Sequence, residues 1–278
     1  MPGVKNRYLH DVISIYQYGP NQMQVIYFKV PLRQGGFDGP EVSGFDPDPE
    51  AQQGEGGRES CNIARARARV RELALCNPWD YFVTITLDPD KHDRGDLDAF
   101  RQGLAQFIRN QRRLTGANIR YLLIPEQHKA GGWHLHGLFL GLPPAWLRPF
   151  TLDERLPYAI RDKLARKEQL FDIPKIANRW GWTTASPIKD REKCASYVSK
   201  YITKDSAQAA AVLAAGKHLF FASQGLAGKK RLYFGPVANA REIPWAWENE
   251  YVKILWLKPG QLGGLQLDPT FRRADNAD

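Results

Sequence analysis

The chain has 278 residues, with 39 Lys and Arg against 30 Asp and Glu, a formal charge of +9 and an isoelectric point near 9.4. That length holds one good-sized domain with extensions, the favoured reading, or two small ones; the basic excess favours a polyanionic partner, and no apolar run approaches the roughly eighteen residues that would mark a membrane-spanning helix. Cys61, Cys76 and Cys194 are odd in number and lack Cys-x-x-Cys spacing, which argues against a disulfide framework and, with no signal-like N-terminal run, predicts a cytoplasmic protein with reduced thiols.

In chain order, Tyr8 to Val30 carries β-rich runs around Tyr18-Gly-Pro-Asn21 and predicts a hairpin, the body of an N-terminal extension over 1–33. Residues 34–57 hold seven glycines, three prolines and six acids (Asp38, Glu41, Asp46, Asp48, Glu50, Glu55) without a Lys or Arg, a composition that reads as a flexible acidic linker. Its −6 leaves +15 on the rest of the chain. Residues 58–76 read as a basic helix whose alternating arginines, Arg65 and Arg69 among them, spread charge around the axis; a solvated helix and DNA-backbone contact both fit.

The core then reads as strand 80–88, helix 96–114, strand 119–128, strand 133–140, a variable helical region over 150–179, strand 182–188 and helix 190–204, within a domain expected to span 58–257 before a polar, frayed tail at 258–278. That order predicts an α+β fold, a central antiparallel sheet with helices packed on one face, close to the split β-α-β plan. Asp88-Pro-Asp90 reads as a turn after the first strand. The run Gly225-Leu-Ala-Gly228-Lys229-Lys230 lacks the spacing and the Ser/Thr of a phosphate loop, so no nucleotide cofactor is expected.

Two motifs carry chemistry. In Trp133-His134-Leu135-His136, strand alternation puts both imidazoles on one face, where they can share a cation. The strand before it ends in Glu126-Gln-His128, and a three-residue loop at 130–132 would set Glu126 opposite His136 and His128 opposite His134. In Tyr197-Val-Ser-Lys200-Tyr201-Ile-Thr-Lys204 a Tyr-x-x-Lys unit is written twice; on a helix Tyr197 and Tyr201 are neighbours, with Lys200 and Lys204 paired beside them. Taken alone, the first fits half-buried strand histidines as well as it fits a metal site, and the second fits an ordinary amphipathic helix better than a nucleophile pair.

Together, in this order and some sixty residues apart, the motifs resemble those of the HUH endonucleases, in particular the rolling-circle replication initiators of small single-stranded DNA phages and plasmids. Tyr81-Phe-Val-Thr-Ile-Thr-Leu-Asp88 is similar to that family's first motif, and the doubled tyrosine resembles its two-tyrosine branch. The resemblance covers roughly Cys76 to Asp205. It implies a divalent metal, Mg2+ or Mn2+, on His134, His136 and Glu126, with Tyr197 as first nucleophile, Tyr201 as second and Lys200 as a cation beside the phosphotyrosine. Lys204, Arg65, Arg69 and Lys193 are further candidates for DNA contact. The implied partners are single-stranded or hairpin origin DNA, with strand unwinding and synthesis left to a host helicase and polymerase, and no membrane. A related transposase, a non-catalytic single-strand-binding module and a His-x-His phosphohydrolase are the alternatives; the last needs a further histidine in register, where Leu138 stands.

Overall fold

The computed structural model describes residues 7–34, 57–127, 132–202, 212 and 218–271. The linker expected at 34–57 therefore lies almost wholly outside the described residues, as do His128 and Lys204. In chain order the elements are β1 (Arg7–Leu9), β2 (Val12–Tyr18), β3 (Gln22–Phe28), β4 (Leu32–Gln34), α1 (Gly57–Cys76), β5 (Tyr81–Thr86), α2 (Leu97–Thr115), β6 (Arg120–Gln127), β7 (Trp133–Leu140), β8 (Arg148–Pro149), α3 (Tyr158–Ala165), β9 (Phe171–Asp172), α4 (Pro174–Trp180), β10 (Thr183–Pro187), α5 (Arg191–Lys200), β11 (Phe221–Ala222), β12 (Lys230–Pro236), β13 (Trp247–Glu248) and β14 (Val252–Leu257).

These elements group into two compact units, 48–226 and a second built from 1–47 with 227–278. In the second unit the predicted hairpin is present as β2 and β3, turning through Gly19 at φ 60, and strands from the far end of the chain extend it to a five-stranded sheet of order β12-β2-β3-β14-β13. The domain expected to run to residue 257 is thus divided after 226: Ile13, Ile15 and Val25 share a buried apolar cluster with Tyr233, Val237 and their neighbours. The tail differs from expectation as well. Pro259–Gly264 forms a 3-10 helix, and Leu262, Leu265, Leu267 and Phe271 pack against the same cluster.

The first unit is α+β with an antiparallel sheet, as its sequence pattern predicts: seven strands ordered β11-β6-β7-β5-β10-β9-β8. Its long helix α2 starts where the Asp96 carboxylate accepts the Ala99 N–H and stops at Gly116, whose φ of 68 suits glycine; Leu97, Phe100, Leu104, Phe107 and Ile108 form its buried stripe. Alternation along β5 gives two chemically distinct sheet faces. Val83 and Ile85, both fully buried, mark one, together with Leu135 and Phe139; Phe82, Thr84 and Thr86 point the other way, alongside His134 and His136. Helix α5 stands on the histidine face and α1 packs against α5, while arginines of α2 surround Tyr121 on the reverse face.

Gly137, between the histidines and the buried end of β7, allows β6 and β7 to close. A Cβ there would meet the Leu122 carbonyl oxygen at 1.9 Å.

Candidate active site

The two histidines are set by the three central strands. Register pairs Thr84 with His136 and Thr86 with His134 across β5 and β7, and Thr84 Oγ1 lies 3.0 Å from His136 Nδ1 while Thr86 Oγ1 lies 2.8 Å from His134 Nδ1. A hydroxyl can donate or accept, so each threonine fixes its ring in orientation for either tautomer. The rings are nearly parallel, 12° apart with centroids separated by 6.1 Å.

Glu126 arrives by a different register from the one expected. The β6–β7 connection runs from Gln127 to Trp133, longer than the predicted three residues, so Glu126 stands opposite His134 and Ile124 opposite His136. The contact with His136 is made diagonally: Glu126 Oε2 is 2.8 Å from His136 Nε2. An ionised carboxylate only accepts, so this contact needs a proton on His136 Nε2, while the Thr84 hydroxyl can serve Nδ1 as donor or acceptor. Among the described residues no three His, Cys, Asp or Glu side chains close into a cation cage. Two imidazoles braced at Nδ1 and one carboxylate oxygen on the same face are nonetheless a donor set of the kind that divalent cations take.

Helix α5 brings the tyrosines over this face. Its N-terminus is capped by Asp190, whose carboxylate accepts the Lys193 N–H, and it ends at Lys200 rather than running on to 204, with Tyr201 as the capping residue. The four-residue spacing still places the phenols side by side, their hydroxyls 2.8 Å apart. Tyr201 stacks on His136 at 4.8 Å and 17°, and Phe82 lies against both tyrosines. Tyr197 is 52 % exposed. Burial pushes the Tyr201 hydroxyl well above the ordinary tyrosine range, reinforced by its hydrogen bond to Tyr197 and by the charges of Tyr197 and Glu126. Tyr201 is therefore a neutral phenol at physiological pH.

The structure thus assembles five of the expected residues, Glu126, His134, His136, Tyr197 and Tyr201, on one sheet face. Lys200 is exposed at the end of α5. Arg65 is exposed on α1, Arg69 pairs with Glu72 and Lys193 with Asp190 at 3.5 Å, so two of the basic candidates are tied to carboxylates of their own surroundings. Asp88 serves the turn, accepting the Asp90 N–H at 3.0 Å and pairing with Lys91 at 3.1 Å. Thr84, Thr86 and Phe82 were given no role by sequence reasoning. The signal was present, since Thr-x-Thr has the same two-residue period as His-x-His, but only the pairing of β5 with β7 turns that period into contacts.

Residues 80–206 match the model of a family described as replication-associated protein ORF2/G2P. The matched stretch runs from β5 past the end of α5 and encloses every residue of the assembled site, consistent with a protein of the rolling-circle Rep type. No curated protein and no solved structure matches the chain. No described helix is long and apolar enough to cross a membrane.

Proposed function

We propose that this chain is a metal-dependent, site-specific single-stranded DNA endonuclease and strand transferase of the two-tyrosine HUH type, which nicks an origin to start rolling-circle replication. The observation that carries it is the contact between the two motifs: the tyrosine pair sits directly on the histidine pair, Tyr201 stacked on His136 at 4.8 Å. A structural tyrosine helix has no need of two hydroxyls 2.8 Å apart beside a carboxylate and two braced imidazoles.

Glu126, His134 and His136 would hold the divalent cation, magnesium or manganese. When bound, such a cation polarises the scissile phosphate and offsets the charge gathering on its oxygens. Thr84 and Thr86 keep the two rings in place for it. The tyrosine hydroxyl attacks phosphorus, forming the phosphotyrosine bond at the 5′ side as the bond to the 3′ oxygen breaks; the phenol proton leaves and a free 3′-hydroxyl remains to prime synthesis. Tyr197, the more exposed, acts first; Tyr201 takes the second cleavage once the origin is regenerated. Lys200, the residue before Tyr201 in the chain, supplies a positive charge to offset the negative charge of the phosphotyrosine. Origin DNA, a host helicase and a host polymerase are the partners of this scheme.

A labelled single-stranded origin oligonucleotide with manganese tests it. The wild-type protein is expected to form a denaturation-resistant adduct, and Tyr197→Phe with Tyr201→Phe together to abolish it. An adduct formed by the double variant sinks the assignment.

A further inference from the structure

The histidine face does not end at the histidines. Register pairs β10 with β5 from Pro187↔Tyr81 to Thr183↔Ile85, and the Thr86 N–H donates to the Trp182 carbonyl at 2.8 Å, which carries the pairing one residue further. Trp182, just ahead of β10, therefore lies in one row with Thr86 of β5, His134 of β7 and Glu126 of β6, all on the same face. Two strand spacings put Trp182 roughly 10 Å from His134. The local chain requires Gly181, since with φ 132 a Cβ there would lie 2.4 Å from the Thr86 carbonyl oxygen.

Trp182 is 40 % exposed, unusual for the largest apolar side chain. One ring face is held flat on Phe150, centroids 5.3 Å apart and planes at 18°, and Phe150 is itself buried with the Arg148 guanidinium 5.4 Å from its ring centre. Trp182 thus has a fixed orientation and keeps a surface open to solvent. It borders a groove of about 490 Å³ shared with Thr86, Asp88, Lys91, Arg94 and Asp172.

The charges of this groove are not balanced. Asp88 is paired with Lys91 at 3.1 Å; Asp172 is paired with Arg148 and accepts the Thr183 hydroxyl at 2.6 Å. Arg94 has no carboxylate partner among the described residues, and its Nε is buried there without a hydrogen-bond acceptor. Its guanidinium lies over Gly132, at the foot of the histidine strand, where a Cβ would stand 2.5 Å from Nε. An oriented aromatic surface and a guanidinium without a carboxylate partner among the described residues, both near the proposed cleavage point, are complementary to one nucleotide.

We infer that this groove is a nucleotide subsite for single-stranded DNA, in which Trp182 stacks the base next to the scissile phosphate and Arg94 takes the adjoining backbone phosphate. The inference rests on the nicking function for what the subsite serves, but its binding chemistry stands apart from cleavage. Trp182 and Arg94 are positioning residues. Their effect falls on affinity and on which base is accepted, and stacking is tolerant of base identity where the width of the groove is not.

The test uses the full chain carrying Tyr197→Phe and Tyr201→Phe, without divalent cation, so that cleavage plays no part. Fluorescence anisotropy of a labelled oligo-dT strand is expected to show about tenfold weaker binding on Trp182→Ala, most of it restored by Trp182→Phe. Arg94→Ala is expected to lower the slope of log K against log[salt] by about 0.7, one phosphate contact on a single strand. Affinity within twofold of the parent for Trp182→Ala, or a loss that Trp182→Phe fails to restore, overturns the subsite. In parallel the adduct assay on the unmutated tyrosines reports the nicking function: binding that depends on Trp182 with no adduct leaves the subsite standing and removes the endonuclease, while an adduct with binding indifferent to Trp182 does the reverse.

Discussion

At the scale of single residues, the chemistry of the site depends on side chains that bear none of it. The hydroxyls of Thr84 and Thr86 meet imidazole nitrogens, at 3.0 and 2.8 Å, and each helps fix where the second nitrogen of its ring points. Partners of this kind are worth about 10- to 100-fold in metal affinity where they have been removed from other sites. Thr84→Val keeps the shape and deletes the hydroxyl, so manganese binding measured by calorimetry should fall by about tenfold or more while thermal stability stays within about 1 kcal/mol. Unchanged affinity would show that the ring is held by packing against Tyr201 and Phe82 instead. The residue scale is also where legibility in the sequence was highest. Glu126, His134, His136, Tyr197 and Tyr201 are all legible from spacing and resemblance, because two-residue and four-residue periods fix which side chains share a face before any fold is known.

At the scale of elements, α5 is a short helix whose placement matters more than its length. It is capped by Asp190, ends ten residues on at Lys200, and bears Ala195, Val198 and Ser199 as its buried residues. Cys194 lies on it half-buried, and burial, with the nearby Asp190 charge, pushes its thiol up to about 11. A raised thiol pKa favours the folded state below the ordinary value of 9.0, and that contribution is lost as pH rises towards about 11. Thermal midpoints measured across this window should decline for the wild type and decline less for Cys194→Ala. At neutral pH the thiol should alkylate slowly. Equal alkaline slopes in the two proteins would contradict the assignment of that loss to Cys194. The elements also show where sequence reasoning runs short. The β6–β7 turn is longer than its glycines suggested, and the resulting register sets Glu126 opposite His134; turn residues mark that a chain reverses, but pairing energy along the whole strand decides by how many residues.

At the scale of the whole molecule, charge is segregated along the chain. Six acids and no Lys or Arg fall within 34–57, and the remainder carries +15. Replacing those six acids by Asn and Gln moves the net charge from +9 to +15, and association with a single-stranded oligonucleotide should quicken at low salt with the gain shrinking as ionic strength rises. Stopped-flow rates at two salt concentrations check this; no change at low salt would mean that the acidic segment is electrostatically remote from the DNA path.

By itself the sequence determined the α+β pattern of 80–200, the shared face of the two histidines, the adjacency of the two tyrosines and the basic balance, since each follows from a local period or a count. Only the tertiary structure decided that α5 lies on the histidine face, that Thr84 and Thr86 brace the rings, that Trp182 continues the same row, and that residues 227–271 complete the unit begun by the N-terminal hairpin. Those outcomes join segments tens to hundreds of residues apart. They are set by which buried faces satisfy one another, a property of the whole packed chain that no local period records.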